Sequence, residues 1–447
     1  MKDLTQGNEG KLIFYFALPM LIGNIFQQLY NTVDSIIVGN ALGKEALAAV
    51  GASFPIIFLL VSLIMGITMG STILISQFFG ARQLDQVKKT IDTAYIFLFF
   101  GSITSTIIGL LVSGPILRLL KIPDEVFTMA KTYLDIIFTG MIVMFGYNSI
   151  SAILRGLGDS KTPLYFLIIS TVVNIFLDLL FILVFEWGVA GAAWATVIAQ
   201  GVSFILGIIY LNKTHDLFKF ELKKMSFDRR LFNTSMKIGL PAGVQQMLVA
   251  GGMMALSRIV NGFGTNAIAA YTAAGRLDSF ASMPAMNLSA ALSSFVGQNL
   301  GANKPDRVKK GYLATLGMAT LISIVITIMI FFFGKELIAL FNTDPDVIII
   351  GERYLKIVGS FYVIFSSMFI TNGVLRGAGD TFIPMFFTIC SLWLVRVPVS
   401  SYLSKSLGTD GIWWGIPIAW TVGASLSIAY YLTGRWKRKV IVKKNHK

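Results

Sequence analysis

Apolar runs of about 18 or more residues recur along the chain, with few charges and without the two-residue alternation of a β-strand. They predict membrane-spanning α-helices and exclude a closed barrel. The runs fall near residues 12–39, 46–78, 88–114, 128–154, 163–186 and 189–212, then 236–261, 266–297, 308–334, 347–375, 382–404 and 411–434. The expected fold is therefore all-α, a polytopic membrane protein with twelve transmembrane helices in two pseudo-symmetric six-helix lobes. The segment 213–235 interrupts the apolar pattern for longest, and is expected to be a cytoplasmic linker between an N-terminal lobe (1–212) and a C-terminal lobe (236–434). A basic tail follows over 435–447. The first run continues to Val38 behind the opening MKDLTQGNEGK, too long for a cleaved signal sequence, so the first helix is expected to be retained.

The two lobes match each other at an offset of about 221 residues. Leu18-Pro19 answers Leu240-Pro241, and Gly43 with Ala46, Ala48 and Ala49 answers Gly264 with Ala267, Ala269 and Ala270. Gln77-Phe78-Phe79-Gly80-Ala81 answers Gln298-Asn299-Leu300-Gly301-Ala302, and Leu154-Arg155-Gly156-Leu157-Gly158-Asp159 answers Leu375-Arg376-Gly377-Ala378-Gly379-Asp380. Equivalent points lie six helices apart, which gives both halves one orientation and predicts a symmetry axis along the membrane normal, with a cavity between two bundles. Locally, Gly-rich loops with an Arg and an Asp read as tight turns that hold positive charge on the inner face.

Composition agrees with a lipid environment: 55% of the 447 residues are hydrophobic and 13% charged, against roughly 25% charged in a soluble domain. The net charge of +14 invites a nucleic-acid reading, but about 26 of the 37 Lys and Arg fall on alternate loops and the termini. Lys223, Lys224, Arg229 and Arg230 in the linker, and Arg435, Lys437, Arg438 and Lys439 in the tail, illustrate this positive-inside pattern. Both termini are then expected in the cytoplasm of a cell (inner) membrane protein, with anionic lipid and not nucleic acid as the partner of the basic clusters. The lone Cys390 permits no intramolecular disulfide and reads as apolar packing. His215 and His446 fall in basic loop or tail segments, so no helix offers a histidine ligand; no metal, no cofactor and no enzymatic chemistry are expected.

Ionisable residues inside transmembrane runs are costly and become functional hypotheses. Asp34 lies deep in the first run, and Gln27, Asn31 and Asp34 share one helical face. Asn174 and Asp178, four residues apart, repeat this pattern in the fifth run. Aspartates that merely satisfy neighbouring amides would fix packing. Against that reading, the matched positions of the second half are Ala255, Val395 and Val399, and packing alone has no need of acids in one lobe only. A carboxyl group kept from water, with a second one nearby, is suited to carrying a proton, and the same oxygens suit sodium. In the second half Arg276 and Asp278, two apart, cannot share a face, and the roles of both and of Arg396 stay open. Met247, Met253, Met254, Met283 and Met286, with Gln27 and Asn31, are candidates for lining a substrate cavity, since flexible thioethers suit varied apolar cations; lipid or core contact is the plainer alternative for the methionines.

Taken together, Val38-Gly39 with Gly43, the Gln-x-x-Gly-Ala loops and the paired Leu-Arg-Gly-x-Gly-Asp loops resemble the multidrug and toxic compound extrusion (MATE) family over nearly the whole chain. The resemblance implies two six-helix lobes around a V-shaped cavity and an inward cation flow exchanged for drug efflux. In the branch resembling the DNA-damage-inducible F proteins, the positions matching Asp34, Asn174, Asp178 and Thr196 carry cation coupling, and the position matching Pro19 is linked to bending of the first helix. A place in the opening turns of that helix is the plainer reading of Pro19. The branch named for norfloxacin efflux uses acids in the second lobe, where this chain has Gln245 and Gln246 but no acid, and none from Ile357 to Asn372. The expectation is a proton- or sodium-coupled antiporter, monomeric, that exports amphipathic and often cationic organic compounds. Rival readings are a lipid-linked oligosaccharide flippase, for which the mid-helix arginines are too few, an intramembrane aspartyl enzyme using Asp34 and Asp178, and a passive channel.

Overall fold

The computed structural model of the protein describes residues 2–214, 219, 221 and 224–442. His215, Lys223 and His446, placed above in basic loop and tail segments, lie outside the described residues. Among the described residues there are fifteen α-helices and no strand. The first half contains α1 (Glu9–Leu42), α2 (Lys44–Gly80), α3 (Leu84–Leu119), α4 (Asp124–Thr139), α5 (Met141–Gly156), α6 (Lys161–Asp178) and α7 (Val189–Thr214). The second contains α8 (Arg229–Asn261), α9 (Thr265–Gly301), α10 (Pro305–Ala339), α11 (Pro345–Gly359), α12 (Tyr362–Gly377), α13 (Phe382–Thr388), α14 (Val397–Leu407) and α15 (Thr409–Leu432).

Two of the apolar runs break where the hydrophobic pattern shows nothing, each at a glycine, Gly140 and Gly359. The run near 128–154 divides into α4 and α5, bent by 53°, and the run near 347–375 divides at the matched point into α11 and α12, bent by 50°. Two others pass through π-helical turns: α6 continues into Leu179–Val184, and α13 reaches α14 through Ile389–Arg396. A π turn inserts a residue into the α ladder and re-aims the side chains around it, and such turns gather at functional sites. Seven helices among the described residues are long and apolar enough to cross a membrane, ten when each of three bent pairs counts as one span. The helices α8 and α9, of 33 and 37 residues, fall outside that set because they are less apolar, with Gln245, Gln246 and Arg258 in the first and Arg276, Asp278 and Asn287 in the second.

Contacts divide the chain into two compact units, and the divisions fall at the matched Leu-Pro pairs. One unit is built mainly from Pro19–Leu240, the other from Asp3–Leu18 and the chain from Pro241 onward. The core of the first unit is aliphatic with a few aromatic rings, including Ala49, Ile64, Leu117, Leu134 and Phe138. That of the second is richer in large aromatics: Trp413 is fully buried, stacks on Tyr271 at 5.7 Å and meets the edge of Tyr354 at 4.9 Å. Such rings bury large areas and orient one another as pairs.

Hydrogen bonds explain why the first residues join the second unit. Leu4 N donates to Gln298 Oε1 (2.9 Å), Asn299 Nδ2 donates to the Leu4 carbonyl (3.1 Å), and Arg307 both pairs with Glu9 (3.0 Å) and donates to the Gly7 carbonyl (2.9 Å). The second Gln-x-x-Gly-Ala loop is thus a dock for the N-terminal segment. In the first unit Asp228 N donates to Thr93 Oγ1 (3.1 Å) and Lys88 Nζ to the Lys219 carbonyl (2.8 Å), which holds the segment before α8.

The paired Leu-Arg-Gly-x-Gly-Asp loops turn as the sequence predicts. Gly158 and Gly379 take φ of +83° and +93°, a region that disfavours side chains. The aspartate that follows then caps and anchors: Asp159 accepts from the Lys161 and Thr162 backbone N–H groups (3.1 and 3.0 Å) and from the Tyr210 hydroxyl (3.2 Å), while Asp380 accepts from the Tyr430 hydroxyl (2.6 Å).

Candidate functional site

The first unit gathers the predicted polar residues of three helices at one place. The buried face of α7 presents Gly191, Ala192, Ala193, Ala195 and Ala199, small residues that admit close neighbours. Against it α6 sets Asn174 and Asp178, one turn apart, and α1 sets Asp34. Asn174 and Asp178 are 1% and 0% exposed and Asp34 8%, so bulk water does not satisfy these groups. With its amide turned to satisfy both ends, Asn174 Nδ2 donates to Asp178 Oδ2 at 2.9 Å, and its oxygen accepts from the Thr196 backbone N–H at 3.2 Å. The π turn of Leu179–Val184 begins at the next residue after Asp178.

Asp34 and Asp178 lie within hydrogen-bonding reach of each other. Ionised carboxylates are acceptors only, so neither can satisfy the other. Asp34 Oδ1 and Asp178 Oδ1 both stand without a donor among the described residues. An orphaned pair of buried acceptors is costly until something positive or protic enters it. The arrangement can therefore receive a proton, shared between the two carboxyls, or a small hard cation held by carboxyl, amide and hydroxyl oxygens. Among the described residues no group of three or more His, Cys, Asp or Glu is placed to hold a metal ion.

Two tyrosines, Tyr30 and Tyr133, join this site beyond the polar residues that the sequence singles out. Tyr30 lies one turn before Asp34 on α1, and its hydroxyl meets Thr196 Oγ1 at 3.2 Å. Its four-residue spacing from Asp34 was the available signal. The buried Tyr133 of α4 lies within electrostatic reach of Asp34, Asp178 and Tyr30, and nothing in its local sequence marks it.

The remaining candidates are not brought to this cluster by any hydrogen bond. Gln27 and Asn31 are exposed, as are Met253, Met254 and Met286, whereas Met247 and Met283 are half-buried. Pro19 lies in the interior of α1, ten residues beyond its start at Glu9, and so outside the opening turns. In the second unit Asp278 accepts from the Tyr362 hydroxyl at 2.7 Å, with Arg396 in electrostatic reach, while Arg276 two residues away is exposed. Arg396 closes the π turn of Ile389–Arg396, and its Nε has no partner among the described residues. Gln245 ties elements together: its Nε2 donates to Thr388 Oγ1 (2.6 Å) and its Oε1 accepts from Arg376 (3.1 Å).

Comparison with known proteins places this architecture. The MatE family model matches residues 19–180 and 241–402, each match beginning at one of the two prolines that divide the units. The chain is 38% identical over 436 residues to "Probable multidrug resistance protein YpnP" of Bacillus subtilis (strain 168), covering 97% of both chains. It is 28% identical to "Probable multidrug resistance protein NorM" of Thermotoga maritima, over 97% of this chain and 94% of that one. Among solved structures, one of MATE in the bent conformation superposes with a TM-score of 0.92 at 25% identity, covering 98% of this chain and 97% of that one. An outward-facing multidrug resistance MATE family transporter of the MOP superfamily gives 0.91 at 25% identity, covering 98% and 99%. This chain belongs to the MatE family of membrane transporters.

Proposed function

We propose that the protein is a cation-coupled multidrug antiporter that exports amphipathic, often cationic, organic compounds, with the coupling cation, H⁺ or Na⁺, bound by Asp34, Asn174, Asp178 and Thr196. The observation that carries this reading is the pair of buried carboxyl oxygens, Asp34 Oδ1 and Asp178 Oδ1, that stand without a donor among the described residues of the first unit, together with Ala255, Val395 and Val399 at the matched positions of the second. Support for drugs as the cargo comes from the relatives, among them one named a multidrug export protein, MepA of Staphylococcus aureus, 24% identical over 95% of this chain. The first-unit location of the acids favours the branch that resembles the DNA-damage-inducible F proteins.

In this reading the chain crosses the inner membrane twelve times, each bent or π-interrupted run counting once and α8 and α9 included. Residues 213–235 form a cytoplasmic linker between six-helix lobes, both termini lie in the cytoplasm, and a monomer suffices for transport. Pro19 is the hinge through which cation uptake near Asp34 alters α1. Gln27, Asn31, Met247, Met253, Met254, Met283 and Met286 contribute to the drug path. Alternating access by two related halves needs a site whose occupancy differs between states, and cation uptake by one lobe supplies that difference.

The test is efflux of a fluorescent organic cation from liposomes under an imposed H⁺ or Na⁺ gradient. Wild type should respond to one of the gradients, and Asp34→Asn and Asp178→Asn should each abolish the response. Gradient-driven efflux that survives both substitutions sinks the site assignment, and efflux indifferent to any gradient sinks the antiport.

A further inference from the structure

A cavity of about 160 Å³ opens in the first unit between α3, α5 and α7. Tyr95, Phe99 and Phe100 of α3, Ile142 of α5, Phe204 of α7 and Met225 line it. Phe99, Phe100 and Ile142 are 48%, 62% and 41% exposed, so the mouth faces outward from the unit and not into its core. Gly146 lets the Phe204 ring pack directly on α5 as one wall of the cavity: a Cβ there would come within 2.5 Å of that ring. A void of this size and lining holds an apolar group of about six carbons.

Its level along the helices follows from the charges. Asp85, Lys88, Lys89 and Asp92 occupy the first residues of α3, and no further charge appears until Arg118. A helix of 36 residues spans about 54 Å, well over the roughly 30 Å of hydrocarbon, so its charged start projects into the headgroups and Tyr95 sits at their boundary. The neighbouring helices agree. Gly101 of α3 meets Phe145 of α5, while Gly146 and Gly207 match α5 to Phe204 and Ile150 along parallel paths, which sets the ends of α5 and α7 beside the start of α3. At that end Lys88, Lys89, Lys213, Lys219, Lys224, Arg229 and Arg230 outnumber Asp85, Asp92, Glu221 and Asp228. Lys88 is paired with Asp92 and Lys224 with Glu221, but Lys89, Lys213, Arg229 and Arg230 are exposed. Met225, one residue from Lys224, closes the cavity on this side.

We infer that this cavity seats part of one acyl chain of an anionic glycerophospholipid, with its headgroup against the cations around Met225. The inference rests on the cytoplasmic assignment of that end and not on cation coupling. Through Met225 the lipid chain packs against the linker and holds it to the first unit.

The experiment incubates the full-length protein with vesicles of phosphatidylcholine alone, or with added phosphatidylglycerol, either lipid carrying a diazirine on its acyl chain. Native mass spectrometry counts retained lipid and peptide mapping locates the crosslink. Phosphatidylglycerol should be retained in preference, and its crosslinks should fall within segments 95–100 and 142–149 or at the lining residues Phe204 and Met225. Ile142→Trp, which fills the mouth from an exposed position, should remove them. Lys89→Gln and Arg230→Gln should each weaken phosphatidylglycerol retention about fivefold while leaving phosphatidylcholine unchanged. Equal retention of the two lipids, crosslinks outside those positions, or displacement of the crosslink by the exported organic cation would each overturn the inference. Should Ile142→Trp fail to fold, the wild-type crosslink map decides alone. Loss of lipid preference with gradient-driven efflux intact refutes the lipid site without touching the transport reading.

Discussion

The Tyr30 hydroxyl reaches Thr196, the residue whose backbone N–H also orders Asn174, so Tyr30 supports the cluster without carrying its charge. Tyr30→Phe removes one hydrogen bond worth about 1 kcal/mol. It should leave the protein folded and weaken cation affinity about fivefold, read as a shift in the gradient that gives half-maximal efflux. A variant as inactive as Asp34→Asn would place Tyr30 in direct contact with the cation. This contrast also shows what single residues disclose in advance. Asp34, Asn174 and Asp178 stand out because a polar group in an apolar run is costly and their spacing repeats one helical turn. Tyr30 shares that spacing but passes for an ordinary aromatic, and Tyr133 reaches the cluster only through tertiary packing. Position along a helix does not mark a methionine as cavity-lining, because Met is equally at home in lipid, core or a binding surface. The exposure of the candidate methionines ranges from half-buried Met247 to 68% for Met254.

Helix type was legible where helix shape was not. Apolar length and period announce each rod, yet the bends between α4 and α5 and between α11 and α12, and the π turns after Asp178 and before Val397, leave the hydrophobic pattern intact. The π turns shift backbone hydrogen bonds by one residue with no composition signal, while the bends fall at glycines, Gly140 and Gly359, that a single sequence does not tell apart from the other glycines of the helices. Close backbone approach is equally silent in a single sequence. A Cβ on Gly70 of α2 would collide with the Ser235 carbonyl of α8, inside the first unit, whereas a Cβ on Gly51 of the same helix would meet nothing within 4 Å. Gly70→Leu must push α2 from α8, which costs about 1–3 kcal/mol or more, and should appear as a lower melting temperature and loss of the monodisperse peak on size exclusion. Gly51→Ala should be neutral or stabilising by up to about 1 kcal/mol. If both variants melt alike, the α2–α8 contact is not a determinant of stability. A second contact at this scale is the dock of the N-terminal segment. Arg307→Ala removes the ion pair to Glu9 and the bond to Gly7, and should speed tryptic cleavage at Lys2 and Lys11 several-fold without changing the melting temperature of the remainder.

At the scale of the molecule, duplication and asymmetry act together. Each half of the family match begins at a proline, Pro19 or Pro241, and each proline divides a long helix between the two compact units. Only α1, however, carries a buried acid beyond its proline; the position in α8 that answers Asp34 is Ala255. A proline inside a helix deletes one backbone hydrogen bond and lowers the resistance to bending at that point. If bending serves only to let two units move, the two prolines should matter equally. If it transmits cation uptake, Pro19 should matter more, because the acid lies on the same helix. Pro19→Ala and Pro241→Ala should both restore the missing bond and leave the melting temperature equal or higher. Efflux under the driving gradient should then fall at least tenfold for Pro19→Ala and no more than two- to threefold for Pro241→Ala. Equal losses would make the prolines a symmetric structural device and would place the coupling of cation to drug elsewhere, with the π turn that follows Asp178 as the next element to vary.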